Sequence, residues 1–339
     1  VKVWTSKQGA FPVRTSTAAI LDMDVSKVKV TPLEIGGGFG GKIPIYLEPV
    51  CATLSKKSGR PVKAVMERSN VFQASGPAPG GTITVKMGTD KNGKLIAADT
   101  SIKLEAGGFP GAAVGAAVQC VFAPYDIANT RIDGYDIVVN KPKSAAYRAP
   151  GSPQAAFASE TVVNELAELH GMDPVEFRLL NASKEGTRRA DGVVFPVIGN
   201  EEVLEAAKAS DHWNSELGTP MKGRVRGRGV ASGYWFNVGL KSTVNLTVNT
   251  DGVVALVEGS TDIGGTRTSI SMQAAEVLGI PATDFRPTVG DTETAGYADV
   301  TGGSRTTYAT GFAAVKAAEN LIEVLKDRCS IIWSIDKED

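Results

Sequence analysis

Five glycines stand within six positions at Gly36-Gly37-Gly38-Phe39-Gly40-Gly41, followed by Lys42. So much glycine gives up backbone rigidity, and folding charges entropy for every residue it then fixes. A chain accepts that cost where a loop must turn tightly, or where backbone N–H groups must approach an anion or a flat cofactor. The loop follows an apolar alternating run (Val28, Val30, Leu33, Ile35) and precedes a helical segment, Glu48 to Ser58. Its one aromatic, Phe39, has neighbours too small to pack against. It is expected either to plug into a core or to stand over a bound ring.

Length and composition narrow what such a loop serves. With 339 residues, 42% of them hydrophobic, the chain can bury two sizeable cores. A net charge of −1 leaves no basic field for nucleic acid or an anionic membrane surface. No apolar run approaches the roughly 20 residues of a membrane span, and no signal peptide is visible, so a cytoplasmic location is expected with the periplasm left open. Cys51, Cys120 and Cys329 share no metal-type spacing, and only two histidines, His170 and His212, are present. Direct side-chain ligation of a metal and a histidine-based triad are therefore not expected. The chain lacks an initiator Met, which reads as a processed or excised piece.

Along the chain, Lys2 to Trp4, Val28 to Ile35, Pro61 to Glu67 and Thr82 to Met87 read as strands. Asp90-Lys91-Asn92-Gly93 predicts a hairpin joining the last of these to Leu95–Leu104. Short helices are expected from Ser16 to Met23 and from Glu48 to Ser58, where Pro49 falls harmlessly in the first turn. Residues 106–119 are almost all Gly, Ala, Val and Pro, and composition alone does not decide their state. A helix from Pro153 to His170 is expected to start at Ser152 as cap, and Asp173-Pro174 to open another. Residues 182–229 are rich in charge, Gly and turn formers. Beyond them Gly229–Phe236, Thr243–Asn249 and Val253–Glu258 read as strands, with helices from Ser269 to Leu278 and from about Gly311 to Leu325. The expected division is residues 1–185, a connection at 186–225, and 226–339.

Two further glycine turns, Gly264-Gly265-Thr266 and Thr301-Gly302-Gly303-Ser304-Arg305-Thr306-Thr307, each lead into a helix, as does Ala146-Tyr147-Arg148-Ala149-Pro150-Gly151. Such turns aim N–H groups and helix N-termini at negative charge. Four together point to one large anionic ligand gripped from several sides; tight turns that only connect strands and helices are the plainer alternative. Gly36, Gly38 and Gly41 meet the dinucleotide spacing, and Gly36, Gly41 and Lys42 begin a P-loop. Ile43 stands where a P-loop needs Ser or Thr for magnesium, and no strand with an acidic end follows about 20 residues on as a dinucleotide fold requires. A nucleotide-binding oxidoreductase stays open as a pattern-only reading.

These turns, with Pro153-Gln154, Asp173-Pro174 through Phe177-Arg178 and Asn181, and Thr261-Asp262-Ile263-Gly264 with Gln273, occur in an order that resembles the molybdopterin-binding large subunit of the xanthine dehydrogenase and aldehyde oxidase family. The resemblance runs through nearly the whole chain. It implies an α+β fold of two related molybdopterin-binding subdomains, with mixed sheets and packed helices. It also implies a molybdenum hydroxylase oxidising an aldehyde or N-heteroaromatic compound with water-derived oxygen. In that family a pterin dithiolene holds the molybdenum, with a dinucleotide form expected here, and a glutamate acts as base. Electrons leave through [2Fe-2S] clusters to FAD on partner subunits.

Carried onto this sequence, the resemblance makes Gln8 the glutamine near the metal's apical ligand and Phe39 the aromatic beside the substrate, with Gly38 and Gly40 presenting amides. Arg148 belongs to the loop facing the metal. Gly264, Gly265 and Thr266 match the turn on pterin and phosphate, and Gly302, Gly303 and Ser304 match a small-residue turn at the site. Gln8 as a surface turn residue and Arg148 as a plain ion-pair former remain the bland alternatives. Glu160 reads as structural. Ile43 stands where purine-oxidising members carry Glu, Ala116 near their substrate arginine, and Pro150 at a second stacking aromatic, so the substrate-facing set is Phe39, Ile43 and Pro150 and argues against a purine. Gly265 replaces the common glutamine of the cofactor turn. The family's Gly-x-Gly-Glu motif, which carries the base, does not occur up to Asp339, so no catalytic residue is expected in this stretch and a separate C-terminal piece is an expected partner. A non-catalytic scaffold or degenerate fragment is the rival from another class.

Overall fold

The computed structural model describes residues 1–338, in ten α-helices and eight strands. Three short sheets carry the strands, and two of them repeat one plan. In the first, β3 (Gly81–Thr89) and β4 (Leu95–Gly107) form the hairpin turned at Asp90–Gly93, and β5 (Asn129–Val138) returns parallel to β4 after the crossover helix α4 (Val114–Cys120). Helix α5 (Ser152–Leu169) follows and packs on β3. In the second, β6 (Val244–Val248) and β7 (Val254–Glu258) form a hairpin at Asp251-Gly252, and β8 (Phe285–Val289) returns parallel to β7 after α9 (Thr266–Leu278). Here α10 (Thr306–Trp333) is the following helix. The shared order is hairpin, helix, parallel strand, helix: the two related mixed-sheet subdomains of an α+β fold.

Contacts gather the chain into two units, residues 76–235 and residues 1–75 with 236–339. The first holds β3–β5, with Leu95, Ile102, Leu104, Phe122 and Phe177 in its core. Helix α6 (Pro174–Asn181) is capped by Asp173, whose carboxylate accepts from the Val175 and Glu176 N–H groups. Its last residue, Asn181, is fully buried and bridges to the hairpin: it accepts from Leu95 N at 2.8 Å and donates to Gly93 O at 3.0 Å. Helices α7 (Asn200–Ala209) and α8 (Asp211–Asn214) complete this unit.

The second unit joins β6–β8 to the parallel pair β1 (Lys2–Thr5) and β2 (Lys29–Pro32). Helix α1 (Ala10–Ile20) covers that pair with Ala10, Val13 and Ala18. The segment after β8 is stitched to β2 by paired Val30–Thr292 hydrogen bonds and by Lys29, which contacts Asp291 at 2.7 Å and Glu293 at 2.9 Å. Helix α2 (Glu48–Ser58) lies as the periodicity predicts, and α3 (Arg68–Ala74) follows it.

Several expectations need correction. Residues 61–67 are not a strand; Val65 is 78% exposed, and Glu67 caps α3 in a reciprocal box with Asn70. Residues 229–236 run without a ladder because their backbone is bonded to side chains instead: Ser232 N to Glu160, and Tyr234 O from Ser152. Ser152 is therefore not the cap of α5. Gly151 takes that position at φ 85°, where a Cβ would lie 2.4 Å from Ala113 O, so glycine is required. Helices α1, α9 and α10 begin earlier than their apolar spacing implies, at Ala10, Thr266 and Thr306. Strands β5 and β8, and the helices α4 and α7, carry no pattern strong enough to have announced them.

Candidate functional site

The glycine turns of the second unit are tied together by two buried polar residues. Gln8, only 2% exposed, lies between the loop 36–42 and the turn 301–304. Its Oε1 accepts from Gly40 N at 2.9 Å and Lys42 N at 3.2 Å, and its Nε2 donates to Thr301 O at 2.7 Å. Backbone bonds run alongside, from Gln8 N to Lys42 O and from Thr301 N to Gln8 O. Thr301 then donates its hydroxyl to Thr261 O at 2.7 Å, which brings in the segment leading to the third turn. A primary amide has two donor hydrogens, and among the described residues only one on Gln8 is used. Glycine at position 38 follows from the same packing: a Cβ would sit 2.4 Å from Gln8 Oε1.

The loop itself closes through Gly41 N to Gly38 O, Ile43 N to Gly40 O, and the Lys42 ammonium on Ile35 O. Phe39 adopts φ 51° and is 60% exposed, with its ring edge against Gly37. A non-glycine residue in the left-handed region is an outlier worth about 1–3 kcal/mol, and such strain collects where a loop serves a ligand. Ile43 lies against Gly302, where an added Cβ would meet its Cδ1 at 3.2 Å.

The turn 262–267 opens α9. Asp262 takes most of its donors: Gly264 N at 2.7 Å, Thr266 N at 3.1 Å, Arg267 N at 3.4 Å and Arg267 Nε at 2.7 Å. Burial works to raise this carboxyl, but the Arg267 bond and the backbone donors outweigh it and hold it below the usual carboxylate range. Arg267 also reaches Glu34 at 2.8 Å, one residue before Ile35 and the glycine loop. Gly264 and Gly265 face open space, with nothing within 4 Å of an added Cβ, and the Gly265 N–H has no partner among the described residues.

The turn 301–305 is braced from behind by Arg305, a fully buried guanidinium. It donates to the carbonyls of Gly239 at 2.7 Å, Lys241 at 2.8 Å, Asp299 at 3.1 Å and Val300 at 3.2 Å, and to the Ser242 hydroxyl. Burial lowers its pKa. Gly303 and Ser304 both take positive φ, and a Cβ on Gly303 would strike Val238 at 2.3 Å.

In the first unit the turn 147–151 is strained in its own right, with φ 25° at Arg148 and 55° at Ala149 ahead of Gly151. Pro150 lies in the same turn, and Ala116 is half-buried on α4. Glu160 is structural as expected. It is 4% exposed and accepts from Arg178 Nε at 2.9 Å and Nη2 at 2.7 Å, Tyr125 Oη at 2.5 Å and Ser232 N at 2.7 Å.

Among the described residues no cluster of three or more His, Cys, Asp or Glu could hold a metal ion. What the turns offer instead is backbone and amide donors between small residues. The profile of the molybdopterin cofactor-binding domain matches residues 1–182, and a second of the same description matches 202–339. The chain belongs to the molybdopterin cofactor-binding domain family. It is 32% identical over 304 residues to the aldehyde oxidoreductase molybdenum-binding subunit of Escherichia coli O157:H7, over 85% of this chain and 40% of the relative. It is also 32% identical over 304 residues to the xanthine dehydrogenase molybdenum-binding subunit of the same organism, over 84% and 40%. The aldehyde oxidoreductase structure of Desulfovibrio desulfuricans superposes with a TM-score of 0.83 at 26% identity, over 95% of this chain and 37% of that one. The chain thus spans about 40% of the length of the curated relatives it matches.

The residues present fit the family's cofactor. A pterin with a phosphate needs flat clearance and neutral donors rather than ligating side chains. Gly264 and Gly265 give clearance, the Gly265 N–H and the second Gln8 amide hydrogen give donors, and Gly38 and Gly303 let the turns approach so closely. Sequence reasoning missed Thr301 as a knot, Asp262 as the holder of its turn, and Glu258. The last was within reach, because Val254, Leu256 and Glu258 alternate onto the buried face of β7.

Proposed function

We propose that this chain forms the molybdopterin-binding portion of a molybdenum hydroxylase acting on an aldehyde or N-heteroaromatic substrate. The observation that carries it is the Gln8–Thr301 knot, which draws three glycine turns of the family's motifs into one support. Gln8, Gly38, Phe39, Gly40, Gly264, Gly265, Thr266, Gly302, Gly303 and Ser304 would hold the cofactor, with Arg148 contributing through its strained turn. When bound, the cofactor supplies the two-electron redox chemistry of hydroxylation. The chain's own part is to bind and orient: Gln8 offers an amide hydrogen at a fixed place, Gly265 its backbone N–H, and Phe39 a ring that shields the approach from water. Ile43 and Pro150 join Phe39 as substrate-facing residues, and their apolar character favours a non-purine ring or an aldehyde. Residues 1–185 and 226–339 are proposed as the two cofactor-binding subdomains.

The wider assembly belongs to the same proposal: an iron-sulfur subunit and an FAD subunit accept the electrons, the pterin is a dinucleotide, and the enzyme works in the cytoplasm. Among the described residues, no helix is long and apolar enough to cross a membrane. The test is molybdenum and pterin analysis of the protein purified with its natural partners. Stoichiometric metal and pterin, lost together on Gln8→Ala, support the reading. A complex free of both sinks it.

A further inference from the structure

Glu258 ends β7 on the sheet's inner face, paired with Val244 on β6 and Val289 on β8. It is 0% exposed, and neither of its carboxyl oxygens has a hydrogen-bond partner among the described residues. The backbone there has no slack. Gly290 N donates to Glu258 O at 2.8 Å, and a Cβ on the next residue, Gly259, would lie 2.4 Å from Gly296 O. Ser260 and Thr261 then lead to Asp262 and its turn. The charged groups acting on Glu258 are Asp262 and Arg267; the buried positions of α9 and α10, the helices of this layer, are uncharged.

An ionised carboxylate cannot be kept dry and unpaired; it takes up a proton instead. Burial, with the Asp262 charge adding to it and Arg267 opposing, raises the Glu258 pKa from 4.5 to about 8. Arg267 is already shared between Asp262 and Glu34, so it cannot neutralise a second buried charge.

We infer that Glu258 is a positioning residue for the cofactor turn: as a neutral acid it adds no second buried negative charge beside Asp262, and its ionisation would loosen the Asp262-held turn 264–267. The inference rests on the proposed cofactor role of that turn. In the neutral state Asp262 keeps its backbone donors and Arg267. Once Glu258 loses its proton, repulsion falls on Asp262, and the donors that shape the turn lose their acceptor's fixed place.

The test uses the full chain in its purified complex, as wild type and Glu258→Gln. Amide exchange of the peptide covering residues 262–267 is compared between the two at equal pH. Equal exchange at pH 6 and roughly tenfold faster exchange in the wild type at pH 9, about a unit above the Glu258 pKa, is the expected result. Equal exchange at both pH values overturns the inference. Pterin release is followed on the same samples: retention by Glu258→Gln above pH 8, where the wild type releases it, supports the link to the cofactor, and identical release profiles overturn that link. Should neither protein carry pterin at any pH, the proposed function fails, and the exchange comparison still decides whether Glu258 controls the turn.

Discussion

The two repeated layers each bury a glutamate and an arginine, and they dispose of them in opposite ways. In the β3–β5 layer Glu160 and Arg178 meet, and Tyr125, Asn164, Ser232 and the Pro174 carbonyl satisfy what is left. In the β6–β8 unit Glu258 and Arg305 are just as buried, yet neither forms an ion pair among the described residues. One layer has closed its electrostatics internally, as a scaffold does. The other leaves a proton-holding acid behind one glycine turn and a cation solvated only by hydroxyl and carbonyl oxygens behind another. Buried groups whose titration is perturbed in this way tend to cluster at sites rather than in frames.

The same substitution in both layers should break this comparison most sharply. Glu160→Gln leaves Arg178 buried without its counter-charge and is expected to cost about 3–5 kcal/mol at pH 7, read by urea unfolding. Glu258→Gln should do the reverse. Because the folded-state pKa of Glu258 lies above its unfolded value, the unfolded chain gives up the proton first as pH rises. Wild-type stability is therefore full below about pH 4.5 and falls by about 1.4 kcal/mol per pH unit until the folded pKa near 8. Glu258→Gln removes that slope, so it should be the more stable protein at pH 8. Parallel curves for the two proteins would erase the distinction between the layers.

Smaller effects sharpen it. Gln8→Ala orphans the Gly40 and Lys42 N–H groups and should cost about 2–3 kcal/mol. Amide protection within residues 76–235 is expected to stay unchanged while that of residues 36–43 and 301–305 drops. Gly303→Ala, which sets a Cβ against Val238 at a positive φ, should cost about 1–3 kcal/mol and lower pterin content. The least effect falls on Asp262→Asn. The Asp262 pKa is depressed on folding, so its contribution is present above the ordinary carboxylate range and lost as pH falls through the lower, folded value. The variant should differ from wild type at pH 7 and converge with it in acid, as thermal unfolding would record.

The glycine turns, the hairpins at Asp90–Gly93 and Asp251-Gly252, and the Asp173 cap were legible because each rests on local chemistry: positive φ, turn residues, a carboxylate facing N–H groups. The parallel strands β5 and β8 were not: β5 is mostly exposed, and β8, although its burial alternates, spans only five residues with Pro287 at its centre. Ser152 looked like a cap, but the left-handed Gly151 and the Tyr234 carbonyl claimed its place and its hydroxyl. At the site, residue types foretold which turns matter, while the bonds that unite them did not show. Gln8 and Thr301 are far apart in sequence, and nothing local in either one announces the other.

That separation bears on how the protein is made. The Gln8–Thr301 bond spans 293 residues, and residues 76–235 form a contiguous unit that can fold as soon as it is synthesised. The first 75 residues have no such freedom: their partners arrive roughly 15–60 s later, at ordinary rates of translation of about 5–20 residues per second. During that interval the glycine loop is a strand end without its anchor, and the cradle does not yet exist. Assembly of the joined glycine turns is therefore a late event in synthesis, scheduled by the ribosome's progress past Thr301.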